Sequence, residues 1–204
     1  MLERYANIIT HANILTQTHK QATDFFVNEK HLGFVAFDAE QNMLVYSYCP
    51  QERETQGGRV LVKHADFSVG CFVTTTLLLR CYERLAPMTP LEPAGRHLLM
   101  YGSKEGAVGL VLPIAESLYR RLHMLQSRLT TGLQHRAGLN PRGYRAVSRV
   151  DRHGARRNVL DGNLLSLFFS LGLVEQGEFA KRIGTTSEQI ISDLCAIAEA
   201  RACL

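Results

Sequence analysis

The chain has 204 residues, of which 46% are hydrophobic, and its formal net charge is +4. This length and composition support one folded domain or two small ones and exclude a wholly disordered chain. No apolar stretch reaches the length of a membrane-spanning helix, and the first residues lack a signal-peptide pattern, so we expect an intracellular protein. The five cysteines form no C-x-x-C pair, which favours free, buried thiols over a disulfide framework or a zinc site.

The first half of the chain is predicted to form strands. Aromatic and β-branched residues dominate seven short segments, which are residues 23–28, 32–38, 43–49, 57–67, 71–82, 96–103 and 106–114. The proline-rich segment Leu85–Gly95 is predicted to be an exposed loop. Short strands joined by tight turns indicate an antiparallel all-β arrangement, such as a sandwich or propeller blades. Because these strands are too few to close a propeller, we expect the β region to be incomplete.

The hydrophobic period changes after Pro113. Four leucines, Leu118, Leu122, Leu125 and Leu129, fall on one face of a predicted helix. The change of period therefore predicts a β region followed by a small helical domain, with the boundary near Pro113.

Three further helical patterns follow. The first, over residues 161–171, begins with Asp161 as its N-cap, and the second, over 174–184, ends at Gly184. The third, over 185–200, opens with a capping box from Thr185 to Glu188. Its predicted apolar stripe consists of Ile190, Leu194 and Ile197.

Positive charge is concentrated in one part of the chain. Ten arginines lie between Tyr119 and Arg157, where the only acidic residue is Asp151. Arginine binds phosphate and carboxylate groups through paired hydrogen bonds, so this region is expected to attract RNA or an acidic partner segment. The candidate contact residues are Arg136, Arg142, Arg145, Arg149, Arg152, Arg156 and Arg157. A solvated helix face or carbonyl-capping arginines would explain the same pattern, and few aromatic rings lie nearby to stack on bases.

The segment His135–Arg145, "HRAGLNPRGYR", is called the connector below. Asn140 is pushed out of helical conformation because Pro141 follows it, and Gly138 permits a positive φ. The connector is therefore predicted to be either a rigid link between two regions or a loop that presents its arginines to a partner.

The sequence contains no recognisable catalytic motif. Gly102–Leu110 is rich in glycine but lacks the Gly-Lys-Ser/Thr of a phosphate-binding loop, and a strand is predicted to follow. There is no G-x-S-x-G motif, and the histidines are scattered. We therefore expect no enzymatic activity, no catalytic residues, no bound metal and no cofactor.

Three segments carry a resemblance to a known family. The connector, "RRNVLDGNLL" (156–165) and "EFAKRIGTT" (178–186) resemble the C-terminal region of the largest subunit of the cleavage and polyadenylation specificity factor. The resemblance extends from Thr23 to Leu194. Its signature positions are Gly138, Leu139, Asn140, Pro141, Asp161 and Gly162. The large subunit of the damage-specific DNA-binding protein and the propeller subunit of splicing factor 3b are related families that share the Asp-Gly helix start.

The resemblance implies a β-plus-α fold, with C-terminal blades of an incomplete β-propeller over residues 1–113 and a helical domain over residues 114–204. It implies a non-enzymatic scaffold, a C-terminal fragment of a longer subunit, in the nuclear complex for pre-mRNA cleavage and polyadenylation. The expected partners are a zinc-finger subunit and a WD-repeat subunit, with pre-mRNA as a further candidate and no membrane or small-molecule substrate. The alternative is a propeller scaffold like that of the DNA-damage, ubiquitin-ligase or splicing-factor relatives.

Overall fold

The computed structural model describes residues 20–28, 31–84, 91–145, 147 and 158–202. Within these residues the chain contains seven strands and five α-helices and divides into two compact units. The first, called the β unit, includes the described residues of 20–81, 94–113, 147 and 158–159. The second, called the helical unit, includes 82–84, 91–93, 114–145 and 160–202.

Four strands of the β unit form an antiparallel meander. They are β1 (Lys20–Asn28), β2 (His31–Asp38), β3 (Asn42–Ser47) and β4 (Val62–Ser68). β2 pairs with β1 on one side and with β3 on the other, and β3 pairs with β4. The first four strand predictions are confirmed, although β4 begins only at Val62 and residues 57–60 lie in the turn before it. The β-branched and aromatic residues of these strands suit a pleated, buried surface.

Three more strands complete the described sheet structure. They are β5 (Val73–Arg84), β6 (Leu91–Ser103) and β7 (Val108–Val111). β6 lies next to β5 and also pairs with β7, and it meets β1 through one residue pair, Asn28 opposite Arg96. Within the described residues this arrangement forms no closed sheet.

The prediction that Leu85–Gly95 forms a loop is wrong for the second part of this segment. Residues 91–95 belong to β6, while residues 85–90 lie outside the described part of the chain. The fixed φ of proline is compatible with an extended backbone, so Pro93 does not prevent the strand from beginning at Leu91.

The β unit buries apolar side chains on both faces of its meander. Because side chains alternate along a strand, neighbouring residues contribute to opposite faces. One face carries Val35, Phe37, Met43, Val45 and Ala65. The other face carries Phe34, Ala36, Leu44 and Tyr46, together with Leu61. A sheet that is apolar on both faces is typical of a layer placed between other layers.

The turn between β2 and β3 is organised by Asp38, which is only 1% exposed. Its Oδ1 accepts hydrogen bonds from the backbone N–H groups of Glu40 and Asn42, both at 2.9 Å. Its Oδ2 accepts a bond of 3.1 Å from Nδ2 of Asn42. Gln41 adopts a positive φ of 65° within this turn. The carboxylate thus satisfies polar groups that the turn would otherwise leave without partners.

Cys49, Cys71 and Cys195 are free thiols. The expectation that the cysteines are buried is wrong for these three, because Cys49 and Cys71 are half-buried and Cys195 is exposed. Partial burial raises the pKa of the Cys49 thiol, and the nearby Glu52 carboxylate raises it further.

The helical unit contains α1 (Glu116–Gly132), α2 (Pro141–Tyr144), α3 (Gly162–Ser166), α4 (Leu173–Arg182) and α5 (Ser187–Ala202). A 3-10 turn, Leu167–Ser170, follows α3. No helix in the described residues has the length and apolar character needed to span a bilayer.

One hydrophobic core joins these helices. The predicted leucine stripe of α1 is confirmed, since Leu122, Leu125 and Leu129 are fully buried and Leu118 packs against the same cluster. Other helices and the residues that directly follow them complete the core with Leu164, Leu165, Phe168, Phe179, Ala180, Ile183, Ile190 and Leu194. The side chains that meet in this core therefore come from four helices and the 3-10 turn that follows α3.

The helix-end predictions have mixed outcomes. Gly184 follows α4 with a φ of 76°, as predicted. The capping box from Thr185 to Glu188 is wrong by one residue, because Thr186 Oγ1 accepts the bond from the backbone N–H of Gln189 at 3.2 Å. Thr185 instead donates its own N–H to the carbonyl of Ala180, so it closes the preceding helix.

Candidate interaction site at the connector and the outer face of α1

The connector leaves α1 through two consecutive residues in the left-handed region. Ala137 has a φ of 54° and Gly138 a φ of 69°. Glycine adopts this conformation without steric cost, so the predicted role of Gly138 is confirmed. Ala137 is not expected there from its residue type, because its Cβ disfavours a positive φ. The tertiary contacts of the connector therefore hold a backbone that its sequence alone does not favour.

The Thr130 carbonyl holds the connector against the last turn of α1. Nε2 of His135 lies 2.8 Å from this oxygen, and Nδ2 of Asn140 donates to it over 3.3 Å. The last four carbonyls of a helix have no donor within the helix, and the side chains of His135 and Asn140 supply donors to the Thr130 carbonyl. Since a carbonyl oxygen only accepts, the contact requires His135 to carry its proton on Nε2.

Asn140 also begins α2. Its Oδ1 accepts the backbone N–H of Arg142 at 2.9 Å, which is the contact expected of an N-cap. Pro141 occupies the first helical position and is buried. Proline is favoured there because its φ suits the helix and its missing N–H leaves no donor without a partner. The Asn-Pro pair therefore fixes where α2 lies against α1.

Asp161 joins three segments of the helical unit. Its Oδ1 caps α3 by accepting the backbone N–H groups of Asn163 and Leu164 at 3.0 and 3.3 Å, which confirms the predicted N-cap. Its Oδ2 accepts Nε of Arg145 at 2.9 Å. Its own N–H donates to Oε1 of Gln126 at 2.7 Å. The almost completely buried carboxylate of Asp161 therefore joins the connector to α3, and its backbone N–H attaches the same residue to α1.

The predicted arginine contacts have different environments. The Arg145 side chain is 22% exposed, pairs with Asp161 and lies over the Tyr144 ring, with its guanidinium carbon 5.2 Å from the ring centroid. Arg142 is exposed on α2. Only the backbone of Arg136 is described. The remaining candidates, Arg149, Arg152, Arg156 and Arg157, lie outside the described residues. A role in binding stays a prediction for all seven.

The other signature positions lie around the same joint. Leu139 is 65% exposed, while Pro141 and Asp161 are buried. Gly162 is the first residue of α3. The predicted motif positions therefore fall mainly on helix starts and on the exit from α1, where they shape the backbone.

A groove of about 320 Å³ lies on the outer face of α1. It is lined by His123, Met124, Ser127, Arg128, Thr131 and Arg142. The α1 members recur at helical spacing on the side opposite the buried leucines. Sequence reasoning missed Arg128 as a site residue, although its place opposite the leucine stripe was available as a signal. The groove offers the guanidinium groups of Arg128 and Arg142 beside the apolar thioether of Met124.

The other arginines of α1 are already paired with acids. Arg120 pairs with Glu116 one turn earlier. Arg121 forms two hydrogen bonds to Asp193 of α5, and the one from Nη2 to Oδ1 measures 3.0 Å. These hydrogen bonds raise the pKa of Arg121 above its ordinary value. Arg128 thus differs from both neighbours, because no acidic partner reaches it within the described residues.

The comparisons with known proteins give one family and a consistent set of relatives. A family model described as "CPSF A subunit region" matches residues 6–170. Cleavage and polyadenylation specificity factor subunit 1 of Drosophila melanogaster is 37% identical over 177 residues, which are 85% of this chain and 12% of that protein. The probable counterpart in Oryza sativa is 35% identical, covering 84% and 12%. Protein CFT1 of Coccidioides immitis is 34% identical, covering 85% and 13%.

Proposed function

Because the chain belongs to the family of the CPSF A subunit region, we propose that it is a scaffold segment of the complex that cleaves and polyadenylates pre-mRNA. The observation that carries this proposal is the match at 37% identity over 177 residues to a protein named as a specificity factor subunit. The chain spans 12–13% of the length of these relatives. Assigning the activity of the whole relatives to this chain is therefore part of the proposal.

The proposed role is non-enzymatic and nuclear. The relatives are named as subunits of a specificity factor, and processing of pre-mRNA takes place in the nucleus. The signature residues support a structural role, since Gly138, Asn140 and Asp161 shape the joint between α1, α2 and α3. We include a zinc-finger subunit and a WD-repeat subunit as partners in the proposal, with pre-mRNA as a further candidate.

The β unit is proposed to contribute blades of a β-propeller. A propeller blade is a four-stranded antiparallel sheet, and β1–β4 form such a meander. A blade inside a propeller is covered by a neighbour on each face, and β2 and β3 bury apolar side chains on both faces. The relatives are much longer than this chain, so those proteins have enough additional residues to form further blades.

Co-purification tests the scaffold proposal. The full chain, carrying an affinity tag and expressed in its native cells, is expected to recover other subunits of the cleavage and polyadenylation complex. The matched control is Leu125→Asp, which places a charge in the helical core and should reduce recovery by unfolding that unit. Recovery of no processing subunit by the wild-type chain would refute the proposal. Recovery of ubiquitin-ligase or splicing-factor subunits in their place would favour the alternative scaffold.

A further inference from the structure

We propose that the outer groove of α1 binds an acidic peptide segment of a partner protein. Arg128 and Arg142 would pair with carboxylates of that segment, and Met124 would cover one of its apolar side chains. The inference rests on the proposed scaffold function, because it assigns one of the scaffold's protein contacts to a defined surface.

The two arginines of the groove come from different elements, whose backbones are attached to each other. Arg128 lies on α1, whose opposite face is anchored in the core by Leu125 and Leu129. Arg142 lies on α2, which Asn140 attaches to the Thr130 carbonyl of α1. Preorganised groups lose less conformational entropy on binding, so this arrangement favours recognition of a partner.

The charges of the groove are not neutralised by the described residues. Neither Arg128 nor Arg142 has an acidic partner there, whereas Arg120 and Arg121 are each paired with one. The groove lining contains no acidic residue. Guanidinium groups bind carboxylates through two parallel hydrogen bonds, so acidic side chains are the complementary chemistry.

The dimensions suit a short extended peptide. From His123 to Thr131, α1 rises by roughly 12 Å, which is the length of about four residues in an extended strand. The Met124 side chain is 47% exposed within this length. Methionine adapts its shape to an apolar neighbour, so the groove combines an apolar contact with two cations.

Stacking favours a peptide over RNA. Single-stranded RNA is usually held by aromatic rings on which bases stack. The His123 ring is already stacked on Tyr119, with centroids 5.4 Å apart and planes inclined by 28°. The exposed Tyr144 ring has the Arg145 guanidinium over it. The described rings near the groove are thus engaged within the protein, and two arginines alone neutralise only about two phosphates.

Fluorescence anisotropy tests the proposal directly. The full chain is titrated into a fluorescein-labelled peptide of about twelve residues, roughly 40 Å when extended, in which Asp and Glu alternate with Leu. A peptide with Asn and Gln in place of the acids, and an oligouridine of similar length, serve as competing probes. We expect the acidic peptide to bind most tightly. In the double variant Arg128→Gln/Arg142→Gln its affinity should fall by about fivefold to tenfold.

The matched control removes the same charge elsewhere. Arg120→Gln/Arg182→Gln changes two exposed arginines outside the groove and should leave peptide affinity within about twofold of the wild type. Met124→Ala should weaken binding of the acidic peptide by a few fold and leave the salt dependence of that binding unchanged. The proposal would be overturned by equal affinity for the acidic and neutral peptides, by an equal loss of peptide affinity in both double variants, or by tighter binding of oligouridine.

Co-purification separates this proposal from the broader one. If the wild-type chain recovers processing subunits but the acidic peptide fails these tests, the groove assignment is wrong and the scaffold function stands. If the peptide binds through Arg128 and Arg142 but no processing subunit is recovered, the groove is an acidic-peptide site and the proposed function is wrong.

Discussion

Two buried aspartates show how differently the two units of the chain use a charged group. Among the described residues, the Asp38 carboxylate of the β unit accepts hydrogen bonds only from Glu40 and Asn42, which lie in the same turn. The carboxylate of Asp161 in the helical unit accepts a bond from Arg145, 16 residues away in sequence, and its backbone N–H donates to Gln126, 35 residues away. Asp38 therefore shapes one turn, whereas Asp161 holds separate segments together. Loss of the first should remain local, while loss of the second should spread through the helical unit.

The largest expected effect is that of Asp161→Ala. The change removes the cap of α3 and the carboxylate that pairs with the half-buried guanidinium of Arg145. We expect the free energy of unfolding of the helical unit to fall by about 3 kcal/mol. Urea unfolding of the full chain, followed by far-UV circular dichroism, measures this loss. If Asp161→Ala lowered the free energy of unfolding by less than Asp38→Ala does, the comparison between the two aspartates would be contradicted.

A smaller effect is expected for Asp161→Asn. The amide oxygen can still cap α3, but the charge that faces Arg145 is gone. The free energy of unfolding should fall by about 1.5 kcal/mol, between the values for the wild type and Asp161→Ala. Arg145→Gln is the matched variant, and in a double-mutant cycle its effect should not add to that of Asp161→Asn. Full additivity would show that the two side chains act independently.

The effect of Asp38→Ala should be confined to the turn between β2 and β3. Its lost hydrogen bonds are replaced in part by water, because Glu40 is exposed. We expect a cost of about 1–2 kcal/mol. Amide hydrogen exchange should rise at Glu40 and Asn42 and remain unchanged in the helical unit. Faster exchange in α1 or α3 would show that this turn also has distant effects.

The smallest effect is a pH dependence at Glu105. Its pKa is lowered, chiefly by a hydrogen bond from its own backbone N–H and also by bonds from Ser103 and the N–H of Phe72. A carboxyl group with a lowered pKa stabilises the folded state above its unfolded pKa, and this contribution is lost as the pH falls through the folded pKa. Glu105→Gln should therefore melt slightly below the wild type at neutral pH. The difference should vanish in acid, and a difference that persists there would contradict this assignment.

Much of the fold follows from local patterns. The aromatic and β-branched residues between short polar turns predict β2 and β3, because such side chains suit a buried, pleated sheet. The four-leucine stripe predicts α1, and Asp161 is recognised as a cap because it immediately precedes an apolar helical segment. These features depend on residues only a few positions apart, so a single sequence contains the information needed to predict them.

The missed features depend on contacts between distant residues. Arg145 pairs with Asp161, which lies 16 residues away, and no local pattern indicates that contact. The positive φ of Ala137 depends on the attachment of the connector to α1. Arg128 and Arg142 line one groove because Asn140 attaches the start of α2 to the last turn of α1. Sequence patterns identified the connector as a region of interest, and the fold determines which of its arginines are available to a partner.

The scaffold function is tested most directly by depletion from a nuclear extract. Antibodies against this chain are used to deplete it from the extract, and cleavage and polyadenylation of a model pre-mRNA are then measured. We predict that both reactions are lost and that the affinity-purified complex restores them. An extract that is fully depleted of the chain yet still cleaves and polyadenylates the substrate at the original rate would contradict the proposed function.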